Sequence, residues 1–525
     1  MLVAVIILLI LNLYLPSRTD IIFSSDHVKV HSGPDTAKQT TQSTEPADEP
    51  VYEPTYEAID EPSDKLFDEE IDETVSFYDE DVLQELSTQR ITGADIGDDL
   101  ATLCSQGDRE WNPNVVIECP VFNGGFGNIR LSLLNCLRYV IEARVSMRLP
   151  IVSRRNADDI SDYLTNEHVG LEYLIDEQHL WRSLELHCPH LVIRPPDDES
   201  SRIQHLGDIS PVLDMGLERD FVDGTLDDWS IPTDPTQWPP AMDDWILTMT
   251  NGTPPSPQSP VSFSVHAIML SFPTAYDPPA LVRVMSELVR PRDEVKMLAA
   301  SALLQMQERF DTHIDFRNSE EPFVRDNAFI GVHLRVEKDA SEANWLSYEE
   351  QLGYLKLRLH QRKGSSKHPP DTDLPDIGKT VLYVASGDED GIATLAEEIA
   401  PVTVVTKNDL LPEGTSAGTA LRKMTWDQQA LVDMLVLEHS GYFIGVRDST
   451  FSWHLALRRA AAVNWVIGGY PEYCWLDDDG EARPQRRAGC RSLLAEEEEW
   501  RDDLSALIGN GHDKPDPQWA KTVWP

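Results

Sequence analysis

A glycine-rich turn at residues 123–128 (NGGFGN) is the first segment whose composition suits ligand binding. It follows an apolar run, residues 115–122, and precedes apolar side chains that recur at helical spacing, so it joins a predicted strand to a predicted helix. Glycines let the backbone approach a ligand closely, and the amides that begin a helix favour an anion. Arg130 and Arg138 lie off the apolar stripe of this helix and are expected to add positive charge there. A tight turn with no ligand is the alternative, since the glycine spacing matches neither a dinucleotide fingerprint nor a Walker loop.

Alternating polar residues follow a second buried strand, predicted over residues 328–332. Successive side chains of an extended segment alternate in direction, so one side is expected to carry the set His333, Arg335, Glu337 and Asp339. A guanidinium held by carboxylates suits a pyrophosphate, because its planar fork pairs two oxygens at once. A surface ion-pair run is the alternative. The position favours a site, because α/β enzymes place polar groups just past the ends of central strands.

A third group of polar residues runs from Asp433 to Phe451. Asp433 lies on a predicted helix, a short strand follows, and Ser449 and Thr450 begin the next helix. Hydroxyls and amides at a helix N-terminus can hold phosphate oxygens, and a carboxylate can accept the N–H donors of guanine. Ser449 as a plain N-cap is the alternative.

Taken together, these motifs resemble those of the GDP-fucose protein O-fucosyltransferases. The resemblance rests on residues 124–128, on residues 333–339, and on Asp433 together with residues 443–452. The second stretch is closest to the plant-type relatives and the third to the animal-type ones. The three occur in the family's order across roughly residues 115–460.

The resemblance implies a GT-B fold with GDP-fucose as the donor, no cofactor and no metal. Fucose would pass, with inversion, to a hydroxyl of a protein Ser or Thr or of a glycan. Substrate contacts would come from Gly125, Phe126, Gly127 and Asn128 for donor and acceptor, from His333, Leu334 and Arg335 for the nucleotide, from Asp433 for guanine, and from Thr450 and Phe451 for the diphosphate. Arg335 would be the catalytic residue, because it neutralises the charge that develops on departing GDP.

The general base is the point at which this sequence departs from the family pattern. Some members place an acidic residue in the glycine turn, and this turn has none. Glu337 and Asp339 are the substitutes, although pairing with Arg335 would lower their basicity. Asp371 and Asp373 form a DxD pair in a Pro-rich loop, so no metal site is expected there. Another GT-B nucleotide-sugar transferase and a catalytically inert lumenal protein with a nucleotide fold stay open as alternatives.

The order of apolar and amphipathic runs predicts an α/β protein, GT-B-like, with two Rossmann-like βα domains that face each other across a cleft. We predict an N-terminal domain over residues 101–320, with a Pro- and Asp-rich insertion near 197–262. A donor-binding domain is predicted over residues 321–475, and a C-terminal tail over 476–525.

The charge of the chain is concentrated near its start. The 525 residues include 44 Lys and Arg against 90 Asp and Glu, a net charge of -46 that argues against a nucleic acid as partner. Seventeen acidic residues and one lysine at 45–85 supply 16 of these charges, within a predicted disordered acidic stem over 24–100. The apolar run within residues 1–23 predicts a signal anchor or a signal peptide. A single-pass Golgi or endoplasmic reticulum membrane protein with a lumenal catalytic domain is therefore expected.

The six cysteines show no close Cys-x-x-Cys or Cys/His cluster, so a zinc site is not expected. A lumenal location permits disulfides, and Cys474 and Cys490 bracket a charged loop that a disulfide could close. Cys136 is predicted to be a small buried residue rather than a disulfide partner.

Overall fold

The computed structural model describes residues 96–119, 121–156, 167–196, 203–221, 230–266, 269, 271–314, 328–343, 345–361, 380–466, 499–501, 504–509 and 522–525. All of them belong to one compact unit, Asp72–Pro525. The predicted anchor and residues 24–95 of the predicted stem lie outside the described residues. No helix within the described ranges is long and apolar enough to cross a membrane.

Fifteen strands and thirteen α-helices are present in the described part of the chain. The strands are β1 (Asn112–Glu118), β2 (Val145–Arg148), β3 (Val152–Ser153), β4 (His168–Val169), β5 (Ile193–Arg194), β6 (Gln204–Ile209), β7 (Arg219–Phe221), β8 (Ser230–Pro232), β9 (Val261–Val265), β10 (Ile330–His333), β11 (Val381–Ala385), β12 (Thr403–Val405), β13 (Tyr442–Val446), β14 (Glu499–Arg501) and β15 (Ser505–Ile508). The helices are α1 (Ile96–Ser105), α2 (Phe126–Ala143), α3 (Glu177–His187), α4 (Trp238–Met249), α5 (Pro279–Leu288), α6 (Asp293–Phe310), α7 (Lys338–Glu342), α8 (Tyr348–Gln361), α9 (Glu389–Glu398), α10 (Lys407–Leu410), α11 (Ser416–Lys423), α12 (Trp426–Glu438) and α13 (Thr450–Val466).

The first sheet has five parallel strands in the order β5-β2-β1-β9-β6. The β-branched residues of its central strands, Val115, Val116 and Ile117 in β1 and Val261 and Val265 in β9, are buried, as expected for a parallel sheet covered on both faces. We call the elements from α1 to α6 the first lobe. The α/β prediction for this part of the chain is confirmed.

The second sheet has the order β12-β11-β10-β13-β15-β14, and all neighbours are parallel except β14 and β15. Its strand β11 is buried along its whole length. We call the elements from β10 to β15 the second lobe. Both sheets belong to one packed body, because α12 packs on α6 and α13 packs on α2.

Three segments contribute to this fold although they lie in the predicted stem, insertion and tail. Residues 96–100 of the predicted stem are helical, and Leu100 is buried. The predicted insertion supplies β6, an edge strand in which only Leu206 and Ile209 are buried, so it has no apolar run. The predicted tail supplies β15, whose four residues are too few to show a period but are fully buried beside β13.

Helix α2 buries both arginines that were expected to add positive charge to the glycine turn, so that prediction is wrong. Arg130 donates to the backbone oxygens of Trp524 and Pro525 at 2.8 and 2.6 Å, and burial lowers its pKa to about 9. Arg138 donates to both carboxylate oxygens of Asp277 at 2.7 and 2.8 Å. Both guanidiniums therefore hold the fold together.

Two disulfides link described cysteines, Cys104 to Cys188 and Cys119 to Cys136. The prediction for Cys136 is therefore wrong in part, since the residue is buried but is paired. The chain turns back between β1 and α2 and brings the two Cα atoms to 6.2 Å, a proximity that helical periodicity alone does not reveal. Cys474 and Cys490 lie outside the described residues.

Candidate functional site

A cavity of about 590 Å³ opens where the carboxyl ends of strands from both sheets meet. Segments that follow β1, β10, β11, β12 and β13 line it. In the second sheet β10 lies between β11 and β13. The chain passes from β10 to β11 and β12 on one side and then crosses to β13 on the other side of β10. This change of direction opens a crevice at the strand ends, which is where open α/β sheets bind ligands.

The cavity brings together nearly all of the residues that the sequence motifs singled out. Those that line it are Gly125, Phe126, Gly127, Asn128, His333, Arg335, Glu337, Asp339, Asp433, Thr450 and Phe451. Leu334 does not line it. Its side chain is 2% exposed and lies in the core of the second sheet, while its amide donates to the Ala385 oxygen at 3.0 Å. The three motifs, separated by up to about three hundred residues, thus form one site.

The glycine turn packs directly against the N-terminus of α13. The Thr450 hydroxyl donates to Asn128 Oδ1 at 2.5 Å, across the boundary between the lobes. A β-carbon at Gly127 would lie 2.7 Å from Thr450 Oγ1 and 3.0 Å from the Phe451 nitrogen. Glycine is therefore required at 127 by a close approach, and the same approach places two helix N-termini at one wall of the cavity.

We expect Gly127→Ala to lower the free energy of unfolding by about 1–3 kcal/mol, because its methyl group would overlap the α13 backbone. Gly353→Ala is the control: it lies inside helix α8, is exposed and has no atom within 4 Å of the added carbon. The free energy of unfolding of Gly353→Ala should rise by about 0.5–1 kcal/mol, because alanine has a higher helix propensity than glycine. Denaturant unfolding measures both. A Gly127→Ala protein as stable as the wild type would show that the two helix ends do not meet this closely.

Arg335 is held in place by two carboxylates and by its own backbone. Its Nη1 lies 2.5 Å from Glu337 Oε2, and its Nη2 lies 2.6 Å from Asp339 Oδ2. Gln351 accepts from the Arg335 amide at 3.1 Å and donates to its carbonyl at 2.7 Å. Burial lowers the pKa of Arg335, but the two carboxylates raise it more. The guanidinium is thus a fixed and largely buried positive charge at the wall of the cavity.

Glu337 and Asp339 are charged in this arrangement. Burial raises the pKa of each carboxyl, but Arg335 lowers it, together with the Gly387 amide at Glu337 and Arg155 at Asp339, so both pKa values fall below their ordinary range. They line the cavity as predicted, although Asp339 belongs to the short helix α7 and not to an extended strand exit. A carboxylate held in this way is a weak proton acceptor.

His333 is neutral at neutral pH because burial lowers its pKa to about 4. Its Nδ1 lies 2.8 Å from Ser452 Oγ, and its ring lies 4.6 Å from the ring of Phe451. The Ser452 hydroxyl also accepts from the Val446 amide at 3.1 Å. These contacts fix β10 and α13 beside each other at the wall of the cavity.

Asp433 lies deep in the cavity with both carboxylate oxygens bonded. Tyr383 donates its hydroxyl to Oδ1 at 2.7 Å, and Lys407 donates to Oδ2 at 2.6 Å. Burial raises the pKa of Asp433, and Lys407 opposes that rise. Because a carboxylate has about four acceptor positions, two of them remain for a ligand's N–H donors.

Several residues of this cavity were not predicted from the sequence, among them Arg155, Lys407, Trp426 and Asp427. Arg155 Nη2 lies 3.0 Å from Asp339 Oδ2, and Asp427 Oδ2 accepts from the Arg155 amide at 3.0 Å. Burial raises the pKa of Asp427. No sequence motif pointed to Arg155, which follows the two-residue strand β3. The signal for Asp427 was its place in the first turn of the helix that carries Asp433.

Within the described residues, no group of three or more His, Cys, Asp or Glu side chains is arranged to hold a metal ion. Asp371 and Asp373, the DxD pair, lie outside them. The polar groups of the cavity include two guanidiniums, the Lys407 ammonium, carboxylates, one imidazole, hydroxyl and amide side chains, and helix-end amides. Such a set can bind an anion at one end and N–H donors at the other.

Comparisons with known proteins give only distant structural similarity. No protein-family model matches the chain, and no curated protein sequence matches it. A crystal structure of POFUT1 in complex with GDP is 14% identical with a TM-score of 0.35, covering 67% of this chain and 96% of that one. A NodZ alpha-1,6-fucosyltransferase soaked with GDP-fucose is 13% identical with a TM-score of 0.31, covering 67% and 93%. A NodZ fucosyltransferase from Bradyrhizobium is 13% identical with a TM-score of 0.32, covering 66% and 92%. With TM-scores this low, the function has to be inferred from the residues of the site.

Proposed function

We propose that the cavity binds a nucleoside diphosphate sugar and that the protein transfers fucose from GDP-fucose to a hydroxyl acceptor. One observation carries the proposal: Arg335 is a fixed guanidinium at the end of β10, in the same cavity as the N-terminus of α13. A diphosphate matches this pair, because a guanidinium fork and helix-end amides both donate to its oxygens. The proposed fold class is GT-B, with one Rossmann-like domain in each lobe.

The base-binding end of the donor is assigned to Asp433. Guanine presents adjacent ring and amino N–H donors, and a carboxylate can accept both. Lys407 and Tyr383 hold the Asp433 carboxylate in one orientation. This preference for N–H donors supports guanine over uracil, which presents one such group.

In the proposed reaction the acceptor oxygen forms a bond to C1 of fucose while the bond from C1 to the β-phosphate oxygen breaks. The leaving GDP takes the bonding electron pair, and Arg335 stabilises the charge that grows on its β-phosphate, while the proton of the acceptor hydroxyl passes to solvent water. Attack opposite the leaving group inverts the configuration at C1. Glu337 and Asp339 hold Arg335 and have lowered pKa values, so they serve this step as positioning residues rather than as bases.

The acceptor is proposed to be a Ser or Thr hydroxyl of a protein, or a glycan. We further propose that the protein acts in the lumen of the Golgi or endoplasmic reticulum, attached to the membrane through its N-terminal segment. The two disulfides support an oxidising compartment, because cytosolic thiols are kept reduced. The absence of an acidic residue from the glycine turn favours one further candidate, a nucleotide-binding protein without turnover.

Nucleotide-dependent stabilisation separates these candidates. GDP at a hundred times its Kd is expected to stabilise the protein by about 2.7 kcal/mol, while ADP and UDP at equal concentration give little shift. GDP-fucose should also be hydrolysed or transferred, and GDP release measures this. Stabilisation by UDP alone would indicate a different nucleotide-sugar transferase. Binding of GDP with no turnover against a broad acceptor set would indicate an inert binding protein, and no binding of any nucleotide would refute the proposal.

A further inference from the structure

The cavity contains a second guanidinium whose role the proposed reaction leaves open. Its cationic side chains among the described residues are Arg155, Arg335 and Lys407. Lys407 is bonded to Asp433 at 2.6 Å, at the end assigned to the base. A donor carries a negative charge on each of its two phosphates, so Arg335 alone leaves one of these charges without a cationic partner. Arg155 is the remaining candidate for it.

Arg155 is fixed on three sides before any ligand binds. Asp427 Oδ2 accepts from its amide at 3.0 Å, the guanidinium lies 5.2 Å from the centre of the Trp426 ring, and Nη2 lies 3.0 Å from Asp339 Oδ2. Its side chain is 6% exposed. A flexible arginine loses much conformational entropy when a ligand orders its side chain. Because the fold already holds Arg155 in place, little further entropy is lost on binding.

The contact between Arg155 and Asp339 also joins the two guanidiniums. Arg335 Nη2 and Arg155 Nη2 both donate to the same atom, Asp339 Oδ2, at 2.6 and 3.0 Å. Arg155 comes from the first lobe and Arg335 from the second. Because a guanidinium has five N–H donors, the bond to the shared oxygen occupies only one donor of each arginine. The shared carboxylate therefore holds two guanidiniums side by side, across the lobe boundary.

We infer that Arg155 and Arg335 together form a clamp for the donor's diphosphate, with Arg155 as a second diphosphate-binding residue and Asp339 as the positioning residue that holds both. The inference rests on the proposed function, because it takes the ligand to be a nucleoside diphosphate. It assigns the phosphates to both lobes, so donor binding would hold the lobes together. The ligand class that it requires is a diphosphate with a negative charge on each phosphate.

The test compares Arg155→Ala with Arg154→Ala, the neighbouring residue, in the full chain. Arg154 has a side chain that is 43% exposed and pairs with Glu167 at 3.1 Å, so its removal takes away the same charge outside the cavity. Arg155→Ala should weaken GDP binding about 10- to 100-fold, as expected when a charge-assisted hydrogen bond is lost. Guanosine, which lacks phosphates, should bind Arg155→Ala and the wild type equally. Arg154→Ala should match the wild type for both ligands.

Each result decides between the inference and its alternatives. If the wild type binds no GDP, the proposed function itself fails. If it binds GDP and Arg155→Ala loses affinity for GDP and guanosine alike, Arg155 is only an ion-pair partner of Asp339 that supports the fold. If Arg155→Ala binds GDP as well as Arg154→Ala does, the clamp is refuted while the proposed function stands. Arg155→Lys, which keeps the charge and loses the fork, replaces Arg155→Ala if that variant does not fold, and it should weaken GDP binding at least several-fold while guanosine binding is unchanged.

Discussion

Arg335→Ala is expected to lower the rate of GDP release from GDP-fucose by about 10²- to 10³-fold, the range seen when one preorganised charge-stabilising donor is removed. The physical reason is that Arg335 is fixed by Glu337 and Asp339 before the leaving group develops its charge. No reorganisation is then needed during the reaction, so the interaction acts mainly on the transition state. Initial rates at saturating donor measure this effect on kcat.

The matched control for this prediction is Lys338→Ala. Lys338 lies between Glu337 and Asp339 in the sequence, but it is 68% exposed and contacts only Glu342, at 3.6 Å, among its described ion-pair partners. It should keep the wild-type rate. The rate of Arg335→Lys should fall between those of Arg335→Ala and Lys338→Ala, since lysine keeps the charge but has no planar fork with which to pair both carboxylates. A rate for Arg335→Ala within about threefold of the wild type would contradict the catalytic role.

Asp277→Ala is expected to destabilise the fold by about 3–5 kcal/mol, because it leaves the buried Arg138 charge without its main partner. Both side chains are nearly inaccessible, at 2% and 1% exposure, and two hydrogen bonds of 2.7 and 2.8 Å join them. Burial lowers the pKa of Arg138, but Asp277 and Glu142 raise it by more, so the guanidinium stays charged. Denaturant unfolding of Asp277→Ala and of the wild type measures the decrease in the free energy of unfolding.

Asp243→Ala provides a control with the same chemistry at the surface. Arg109 donates to both oxygens of Asp243 at 2.6 and 2.7 Å, but the side chains are 30% and 47% exposed. Because water and salt screen such a pair, Asp243→Ala should lower the free energy of unfolding by only about 0–1 kcal/mol. Equal losses for Asp277→Ala and Asp243→Ala would show that burial does not set the effect, and would remove the reason for assigning Arg138 to the fold.

Local sequence patterns were sufficient to predict most of the helices and strands near the site. The strand predicted over residues 328–332 is β10, Ile330–His333, which begins two residues later and ends one residue later than predicted, and Asp433 lies on a helix as predicted. Hydrophobic periodicity and buried apolar runs are local properties, so they can be recognised without knowing the fold. The glycine turn was also predictable, because it joins a recognisable strand to a recognisable helix.

The sequence by itself determined the α/β class and the three motifs, which supply the glycine turn, Arg335, and Asp433 with the N-terminus of α13. Only the tertiary structure decided that these motifs share one cavity, that Arg155 joins them from the other lobe, and that Arg130 and Arg138 are buried far from solvent. Local sequence carries the preference for a helix or a strand, because backbone and side-chain periodicity act over a few residues. It does not carry contacts such as that of Arg155 with Asp339, 184 residues apart, since those depend on how the two sheets pack.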